Sequence, residues 1–428
     1  MDTIYALATA RGKSGVAIVR VSGPGAGPAL TLLAGGIPQP RQTSLRRIRD
    51  RRGDSIDQGL VIFFDKNQSF TGEEVAEFHI HGSIAAARAL LDALAGIDGL
   101  RMAEPGEFTR RALMNGRMDL TEVEGLGALI EAETETQRKQ ALRMFQGALS
   151  GKAEAWRAGL LRARALLEAT IDFADEEVPV DVTPEVRAVL ADLAQDFDRE
   201  IAGFASAERI REGFEVAIVG APNVGKSTLL NALAGRQAAL TSEIAGTTRD
   251  VIEVRMDIHG LPVTMLDTAG LRDTNDQIEA AGVRLARDRA SAADLRVFLL
   301  PGDRAAPDMP PRPGDIVLVA KADVYNGTQP AVSGRSGQGI GALLQRVSAE
   351  LSGRAAGASL IAHARQEQAV RAALAEVAAA RAGLSSGAAD EVTAFHLLTA
   401  AQAMERLLGR VDIEDVLGEI FASFCIGK

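Results

Sequence analysis

Short apolar runs near the N-terminus give way to long stretches in which apolar residues follow a helical period. Val16–Arg20 and Gly59–Phe64 are typical of strands, and Ile84–Leu94 is typical of a helix. Further on, apolar residues recur every three to four positions from Leu120 to Ser150 and from Lys152 to Phe173, which predicts two long amphipathic helices. We therefore expect an α+β region followed by a helical region.

The pattern then switches to alternating strands and helices before a second helical stretch closes the chain. Such alternation is typical of a doubly wound, mainly parallel sheet. The predicted fold class is α/β combined with all-α, and the length suits several domains. We predict an N-terminal α+β domain at residues 1–116, a discontinuous helical domain at residues 117–210 and 355–428, and an inserted doubly wound α/β domain at residues 211–354.

Charge and composition narrow the possible compartments and partners. A formal net charge of −10 argues against a protein that coats nucleic acid nonspecifically. The arginine-rich run Arg46–Arg52 favours a solvated hairpin over an RNA contact. The first apolar stretch is broken by Arg11 and Lys13, unlike a signal peptide, and no apolar run reaches the roughly 20 residues that span a bilayer. With Cys425 as the single cysteine, we expect a cytoplasmic protein that does not enter membranes.

Gly220–Ser227, with the sequence GAPNVGKS, fits the phosphate-binding loop of nucleotide hydrolases. The run Phe214–Val219 before it predicts a buried strand, and the residues after it predict the start of a helix. In that context backbone N–H groups and the helix N-terminus surround a phosphate. Lys226 would bind the β- and γ-phosphates, and Ser227 would bind Mg²⁺. The predicted GTP contacts here are Asn223, Val224, Gly225, Lys226, Ser227 and Thr228.

Two further segments fit the switch regions of a GTPase. In Gly246–Asp250, a threonine can place its hydroxyl on Mg²⁺ when a γ-phosphate is present. In Val263–Gly270, an apolar strand ends in Asp267, which fits a carboxylate associated with Mg²⁺, and the Gly270 N–H can bind the γ-phosphate. The order of these segments after one phosphate loop predicts that residues 211–354 form a Ras-like P-loop GTPase domain.

Guanine recognition is predicted after the strand Ile316–Ala320. Asp323 can accept hydrogen bonds from the N1–H and N2–H₂ groups of guanine, and Lys321 can lie along the base. Ala320 stands where such proteins usually have Asn, so we expect guanine preference to survive with affinity lowered by about 0.5–1.5 kcal/mol. A backbone N–H for guanine O6 is expected from Ser333, Gly334 and Arg335.

The catalytic group is less evident, because Leu271 stands where Ras-type proteins have a water-orienting Gln. Asn223 is a candidate to hold a monovalent cation beside the phosphates. Glu279 is a candidate to polarise water through a bridging water, although its spacing also fits a solvated carboxylate at a helix start.

Motifs along the whole chain resemble those of the MnmE (TrmE) family, the bacterial and organellar tRNA-modification GTPases. Other translation-associated GTPases share the phosphate loop but not the N-terminal motifs or the C-terminal tail. The segments that carry the resemblance are Asp2–Ile4, Gly15–Gly23, Ser69–Glu77, His81–Gly82, Pro105–Ala112, Asp119–Leu120, Ile171–Phe173 and Phe424–Lys428. The family's His-Gly-Gly reads His81-Gly82-Ser83 here, which is expected to alter a turn.

The resemblance implies a homodimer joined through an N-terminal folate-binding domain. It also implies a flavoprotein partner, MnmG, in a heterotetramer or larger complex that modifies carbon 5 of the tRNA wobble uridine. The product group is aminomethyl or carboxymethylaminomethyl, and 5,10-methylenetetrahydrofolate or a 5-formyl analogue supplies one carbon. K⁺ is implied to stimulate hydrolysis when two GTPase domains associate.

Site residues are also implied by position. Ser227 and Thr248 would hold Mg²⁺, and Glu279 would be catalytic. The implied K⁺ ligands are Asn223, Ser242, Ile244 and Thr247. The implied GTP contacts add Ser242, Glu243, Ile244, Ala245, Gly246, Thr247, Thr248, Asp267, Thr268, Ala269 and Gly270. The implied folate contacts are Arg20, Glu77, Lys428 and Arg117, the last replacing a family lysine. Cys425 fits either a site residue or a packed thiol.

Two other functions fit parts of the sequence. One is a GTP-dependent RNA-binding or ribosome-assembly switch without modification chemistry. The other is a folate aminomethyltransferase whose nucleotide domain has degenerated because of Ala320.

Overall fold

A computed structural model describes residues 2–172, 181–236, 253–267, 287–302, 306–307, 309–411, 418, 420–421, 424 and 426–427. The chain forms two compact units. The first contains residues 1–127 and 405–428, and the second contains residues 128–404. The three-domain division drawn from the sequence stays a prediction.

A six-stranded mixed sheet forms the centre of the first unit, with the strand order β3-β4-β5-β2-β1-β6. Only the β1–β6 pair is parallel. The strands predicted within Val16–Arg20 and Gly59–Phe64 are confirmed. The bounds are β1 (Thr3–Leu7), β2 (Ser14–Ser22), β3 (Ser44–Arg49), β4 (Ser55–Phe64), β5 (Val75–Gly82) and β6 (Leu100–Met102).

Helices α1 (Ala26–Ala34) and α2 (Ile84–Ala95) share a hydrophobic core with this sheet. The predicted α2 is confirmed, and the Ser83 hydroxyl accepts a hydrogen bond from the Ala86 N–H at 3.3 Å. Ser83 is therefore the N-cap of α2, so the serine that departs from the family's second glycine ends the turn with a helix cap. Helix α3 spans Glu107–Met114.

Residues near the C-terminal end belong to the first unit. Ile426 forms an antiparallel bridge with Pro105. Phe421 and Phe424 pack with Leu113 and Val123. Gly427 has a φ of 104°, and a Cβ atom there would overlap the carbonyl oxygen of Leu7 at the end of β1. The tail backbone thus contacts the strand directly, which only glycine permits here.

Four helices follow one another after the N-terminal sheet: α4 (Leu120–Glu131), α5 (Glu135–Phe145), α6 (Ala148–Asp172) and α7 (Thr183–Glu212). The prediction of one helix from Leu120 to Ser150 is wrong. Thr134 and Gln137 form a capping box that starts α5, and Gly147 has a φ of 80° after α5 ends. A capping box satisfies N–H groups that a continuous helix would bond internally, so it separates two helices.

The second unit contains a six-stranded sheet with the order β12-β11-β10-β7-β9-β8. All neighbours are parallel except β8 and β9, which confirms the doubly wound, mainly parallel sheet. The bounds are β7 (Phe214–Val219), β8 (Glu253–Ile258), β9 (Leu261–Asp267), β10 (Leu295–Leu300), β11 (Ile316–Ala320) and β12 (Ala331–Val332). The carboxyl ends of such strands form one edge, where ligands bind in open α/β sheets.

Helices α8 (Lys226–Ala234) and α9 (Ile340–Ala355) contribute to the core of this sheet, with Leu229, Leu233 and Leu343 buried against Val216 and Val297. Two more helices, α10 (Ala364–Ser386) and α11 (Asp390–Leu407), follow. Within the described residues, no helix is long and apolar enough to cross a membrane.

Candidate functional site

The phosphate loop connects β7 to α8, as predicted, and its conformation depends on three left-handed or closely packed residues. A Cβ atom at Gly220 would lie 2.5 Å from the carbonyl oxygen of Leu299, so this position must lack a side chain. Asn223 and Gly225 have φ values of 61° and 118°, and Gly225 is the N-cap of α8. Successive turns of this kind direct backbone N–H groups toward an anion.

Lys226 is the first residue of α8 and is only 5% exposed. Its Nζ donates hydrogen bonds to the carbonyl oxygens of Gly220 (2.6 Å) and Ala221 (3.1 Å). These two carbonyl acceptors hold the ammonium group at a defined position in the loop. A fixed positive charge therefore lies inside the loop.

Ser227 and Asp267 bring two oxygen groups to one point. The Ser227 hydroxyl donates a hydrogen bond of 2.6 Å to Oδ2 of Asp267, which is 2% exposed at the end of β9. A hydroxyl and a carboxylate are hard oxygen ligands of the kind that Mg²⁺ prefers. The chemistry of this pair fits the predicted magnesium site beside the phosphate loop.

The predicted guanine-binding residues follow β11. Lys321 has a φ of 59°, and its carbonyl oxygen accepts hydrogen bonds from the N–H groups of Val324 and Tyr325. Asp323 is exposed on this tight turn. A hydrogen bond from the Ser333 side chain is the main reason why the pKa of the Asp323 carboxyl lies below its usual range. The N–H of Ala322 donates to the carbonyl oxygen of Val332 at 3.2 Å, so the two segments that were predicted separately are in contact.

Ser333, Gly334 and Arg335 form the second guanine-side segment. The Ser333 hydroxyl accepts hydrogen bonds from the N–H groups of Arg335 and Ser336, both at 3.2 Å. A Cβ atom at Gly334 would lie 2.6 Å from backbone atoms of Thr228 and Leu229 in α8. The guanine-side segment therefore lies directly against α8, the helix that follows the phosphate loop. No local sequence pattern predicts this contact.

The remaining predicted residues of the nucleotide site and the tail lie outside the described residues. They are Ser242, Glu243, Ile244, Ala245, Gly246, Thr247, Thr248, Thr268, Ala269, Gly270, Glu279, Cys425 and Lys428. Their assigned roles stay predictions.

A second charged site lies in the first unit, where β2 and β5 pair Arg20 directly with Glu77. Nε of Arg20 is 2.9 Å from Oε1 of Glu77, and His79 Nε2 is 3.1 Å from Oε2. The Arg20 guanidinium lies 5.4 Å from the Phe70 ring centroid and 5.7 Å from that of Phe108. The family resemblance named Arg20 and Glu77 as folate contacts, but their ion pair, His79 and the two phenylalanines were not predicted from the sequence.

The electrostatics of Glu77 combine two opposing effects. Burial raises the pKa of the carboxyl, but hydrogen bonds from His79 and Arg20, together with the charge of Arg20, outweigh it. The net pKa is therefore below the usual 4.5. The carboxylate is ionised at neutral pH and half-buried, so it is a fixed hydrogen-bond acceptor.

Arg117, the other described folate candidate, is exposed and its side chain packs beside Gly72. A Cβ atom at Gly72 would lie 3.2 Å from Cγ of Arg117. The segment that contains Gly72 is fixed to β2 because the Ser22 hydroxyl donates to Glu73 at 2.7 Å and Arg111 donates to the same carboxylate. This buried network, which the sequence did not predict, holds the Ser69–Glu77 segment in place.

A phosphate loop, an Mg²⁺-type oxygen pair and an acidic guanine-side residue at one edge of a parallel sheet define the class of P-loop GTPases. Comparison with known proteins identifies the family within this class. A family model described as the MnmE helical domain matches residues 120–425, and one described as the GTP-binding protein TrmE N-terminus matches residues 3–117. The chain belongs to the MnmE family of tRNA modification GTPases.

Relatives that match the full length of the chain agree with this assignment. The chain is 56% identical over 429 residues to tRNA modification GTPase MnmE of Ruegeria pomeroyi, with complete coverage of both chains. It is also 56% identical over 429 residues to the protein of that name from Cereibacter sphaeroides, again with complete coverage. A crystal structure of Era from Aquifex aeolicus is 26% identical and covers 31% of this chain and 55% of that chain. Its TM-score of 0.23 is too low to bear on the fold.

Proposed function

We propose that this chain is a K⁺-stimulated GTPase that acts with a flavoprotein partner on tRNA in the cytoplasm. The pair installs an aminomethyl or carboxymethylaminomethyl group on carbon 5 of the wobble uridine, and a folate supplies the one-carbon unit. Full-length similarity to proteins named tRNA modification GTPase supports the GTPase and tRNA parts of this proposal. The resemblance described from the sequence motifs supports the rest.

The observation that carries the GTPase part is the Ser227–Asp267 contact of 2.6 Å beside the buried Lys226. Lys226 binds β- and γ-phosphate oxygens, while Ser227 and Thr248 hold Mg²⁺, which neutralises phosphate charge when bound. Asp323 accepts hydrogen bonds from guanine, and a hydrogen bond from Ser333 lowers the pKa of its carboxyl. Lys226, Ser227 and Asp323 thus bind three different parts of the ligand, which are the phosphates, Mg²⁺ and the guanine base.

K⁺ has the role that an arginine finger has in other GTPases, which is to supply positive charge near the phosphates. Asn223, Ser242, Ile244 and Thr247 hold this ion in the proposal. Asn223 lies in the phosphate loop with a left-handed backbone, next to the residues that surround the phosphates. Glu279 positions the attacking water through a second water.

Folate binding is proposed at the Arg20–Glu77 pair, together with Arg117 and Lys428. A pterin ring presents N–H donors in a plane, and an ionised carboxylate such as Glu77 accepts two of them. Phe70 and Phe108 near Arg20 supply flat apolar surface for such a ring. Cys425 is proposed either to act on the one-carbon adduct or to pack as a thiol. Arg20→Gln is expected to weaken binding of 5-formyltetrahydrofolate in calorimetry, and unchanged affinity would refute this part.

A homodimer is proposed through the N-terminal domain, and MnmG is proposed to join it in a heterotetramer or larger complex. The resemblance described from the sequence motifs supports both parts of this proposal.

The decisive experiment measures hydrolysis of GTP and ATP in K⁺ and in Na⁺. We expect hydrolysis that is selective for GTP and faster in K⁺, and Glu279→Ala should lower turnover with little change in GTP affinity. Equal rates in the two cations would refute the K⁺ mechanism. For the modification step, tRNA nucleosides from a deletion strain should lack the wobble modification. Unchanged nucleosides with altered ribosome profiles would instead indicate an assembly switch.

A further inference from the structure

The hairpin between β3 and β4 concentrates positive charge. We use the name arginine hairpin for residues 41–54, which carry six arginines and two aspartates and thus a formal charge of +4. The whole chain has a formal charge of −10, so the remainder is strongly acidic. The arginines are Arg41, Arg46, Arg47, Arg49, Arg51 and Arg52.

The charge of these arginines is not neutralised inside the protein. Within the described part of the chain, no ion pair of 4.0 Å or less includes any of the six. Asp50 accepts the backbone N–H groups of Arg52 and Asp54 at 2.9 Å, and nearby Asp57 bonds to His81 at 2.8 Å. Asp50 and Asp57, two carboxylates that a solvated hairpin could use for its arginines, are thus bonded to other groups.

Two of the guanidinium groups donate hydrogen bonds to neutral acceptors instead. Nη1 of Arg49 donates to the carbonyl oxygen of Gly53 at 3.1 Å, and Arg51 donates to the carbonyl oxygen of Gly96 at the end of α2. These contacts orient the groups but leave their charge intact. By contrast, Arg162, Arg199 and Arg371 elsewhere in the chain each have an ion pair of 2.6 Å.

The position of the arginines makes them accessible to a large partner. β3 is the edge strand of the sheet, and Arg47 and Arg49 share its exposed side with Leu45. Across the strand pair, Arg47 faces the uncharged Gln58. Charges on an edge strand also prevent strands of different molecules from pairing. Protection of the edge strand does not explain why positively charged residues also occupy the turn, at Arg51 and Arg52.

We propose that the arginine hairpin binds the phosphate backbone of RNA, which for this chain is its tRNA substrate. Guanidinium groups bind phosphate with two hydrogen bonds, and a local positive edge overcomes the repulsion between an acidic protein and a polyanion. This inference rests on the proposed function. It replaces the solvated hairpin that the sequence alone favoured.

The test compares three variants by fluorescence anisotropy with an unmodified tRNA transcript between about 50 and 200 mM salt. The triple variant Arg47→Gln, Arg49→Gln, Arg52→Gln leaves Arg51 on the end of α2 and the half-buried Arg46 unchanged. A matched control changes Arg162, Arg199 and Arg371 to Gln, which alters net charge equally. A third variant replaces the same three hairpin arginines by Lys.

The hairpin glutamine variant is expected to bind tRNA about tenfold or more weakly at low salt, with the salt slope reduced by about 2–3. The control and the lysine variant should bind tRNA nearly as well as the wild type, and GTP hydrolysis should not change. If thermal unfolding shows that the triple variant is not folded, the Arg47→Gln, Arg52→Gln double variant keeps the Arg49–Gly53 contact and should still weaken binding.

Equal tRNA binding by wild type and the hairpin variant would overturn the inference while leaving the proposed function intact. Loss of dimers in light scattering with unchanged tRNA affinity would also overturn it, because the hairpin would then be a protein interface. Absence of tRNA binding by the wild type itself would overturn both the inference and the proposed tRNA substrate.

Discussion

The hydroxyl of Ser227 in α8 donates a hydrogen bond of 2.6 Å to the carboxylate of Asp267 at the end of β9. β7 and β9 are direct parallel neighbours in the sheet, so the residues that follow one strand and end the other meet at the same edge. The phosphate loop and the strand that leads to the second switch therefore share one oxygen pair. Removing either member is expected to affect Mg²⁺ rather than guanine recognition.

Ser227→Ala should lower Mg²⁺ affinity in the nucleotide complex by about 100-fold, because a hard oxygen ligand is lost. Mg²⁺ titration of hydrolysis and of GDP affinity measures this effect. Ser227→Thr keeps the hydroxyl and is the matched control, so it should retain most activity. A Mg²⁺ dependence in Ser227→Ala equal to that of the wild type would contradict the assignment.

Gly334→Ala should raise the dissociation constant for GTP about tenfold, because the new Cβ atom must move the guanine-side segment away from α8 by overcoming backbone contacts. Turnover at saturating GTP should change little. Gly341→Ala is the control, since a Cβ atom at Gly341 has open space around it. If both variants bind labelled GTP as tightly as the wild type, the close approach does not position the base.

Asp323→Asn should shift preference from guanine toward xanthine nucleotides, because an amide reverses the hydrogen-bond pattern that the carboxylate offers to the base. Competition between GTP and xanthosine triphosphate measures the shift. The lowered pKa of Asp323 also predicts that the wild type keeps its selectivity at mildly acidic pH, where the carboxylate stays ionised. Unaltered GTP preference in the variant would remove Asp323 from the site.

Glu77 should make the stability of the first unit depend on pH. Its pKa in the folded protein is below the usual 4.5, so its contribution is complete above 4.5 and is lost as the pH falls through the folded value. Glu77→Gln cannot titrate, so the difference in unfolding free energy between wild type and variant should shrink below about pH 4.5. Denaturant titrations at several pH values measure this difference, and a constant difference would contradict the lowered pKa.

Gly427→Ala should destabilise the first unit by about 1–3 kcal/mol, because the residue has a positive φ and its Cβ atom would overlap the Leu7 carbonyl oxygen. Thermal unfolding measures the loss. Gly418→Ala is the control, because a Cβ atom there meets no atom within 4 Å. Identical melting temperatures for the two variants would show that the tail backbone does not support the unit.

Local sequence predicted the parts of the fold and site that depend on neighbours in the chain. The phosphate loop was predictable because a strand, glycines and the start of a helix follow one another directly in the sequence. Asp267 and Asp323 were predictable because each comes at or just after the end of an apolar strand. The break at Thr134 was also readable as a capping box with Gln137, but the longer helical period concealed it. Helical periodicity alone does not show where one helix ends and the next begins.

Features that depend on distant residues were not predictable from one sequence. Nothing near Gly334 indicates that α8 will approach it, and nothing near Arg20 indicates that Phe70 and Phe108 will surround its guanidinium. Close approach between backbone segments is decided by packing of whole elements. Such contacts leave only a glycine or an aromatic residue in the sequence, and many other causes explain those residues.

The contact between Gly427 and Leu7 joins a strand that is synthesised early to a residue that is synthesised much later. Residues 128–404 emerge from the ribosome between these two segments. While those residues are being synthesised, the first unit lacks these packing partners, and the surface that Phe421 and Phe424 cover is exposed. Premature termination would leave this unit incomplete even when the nucleotide-binding sheet is whole.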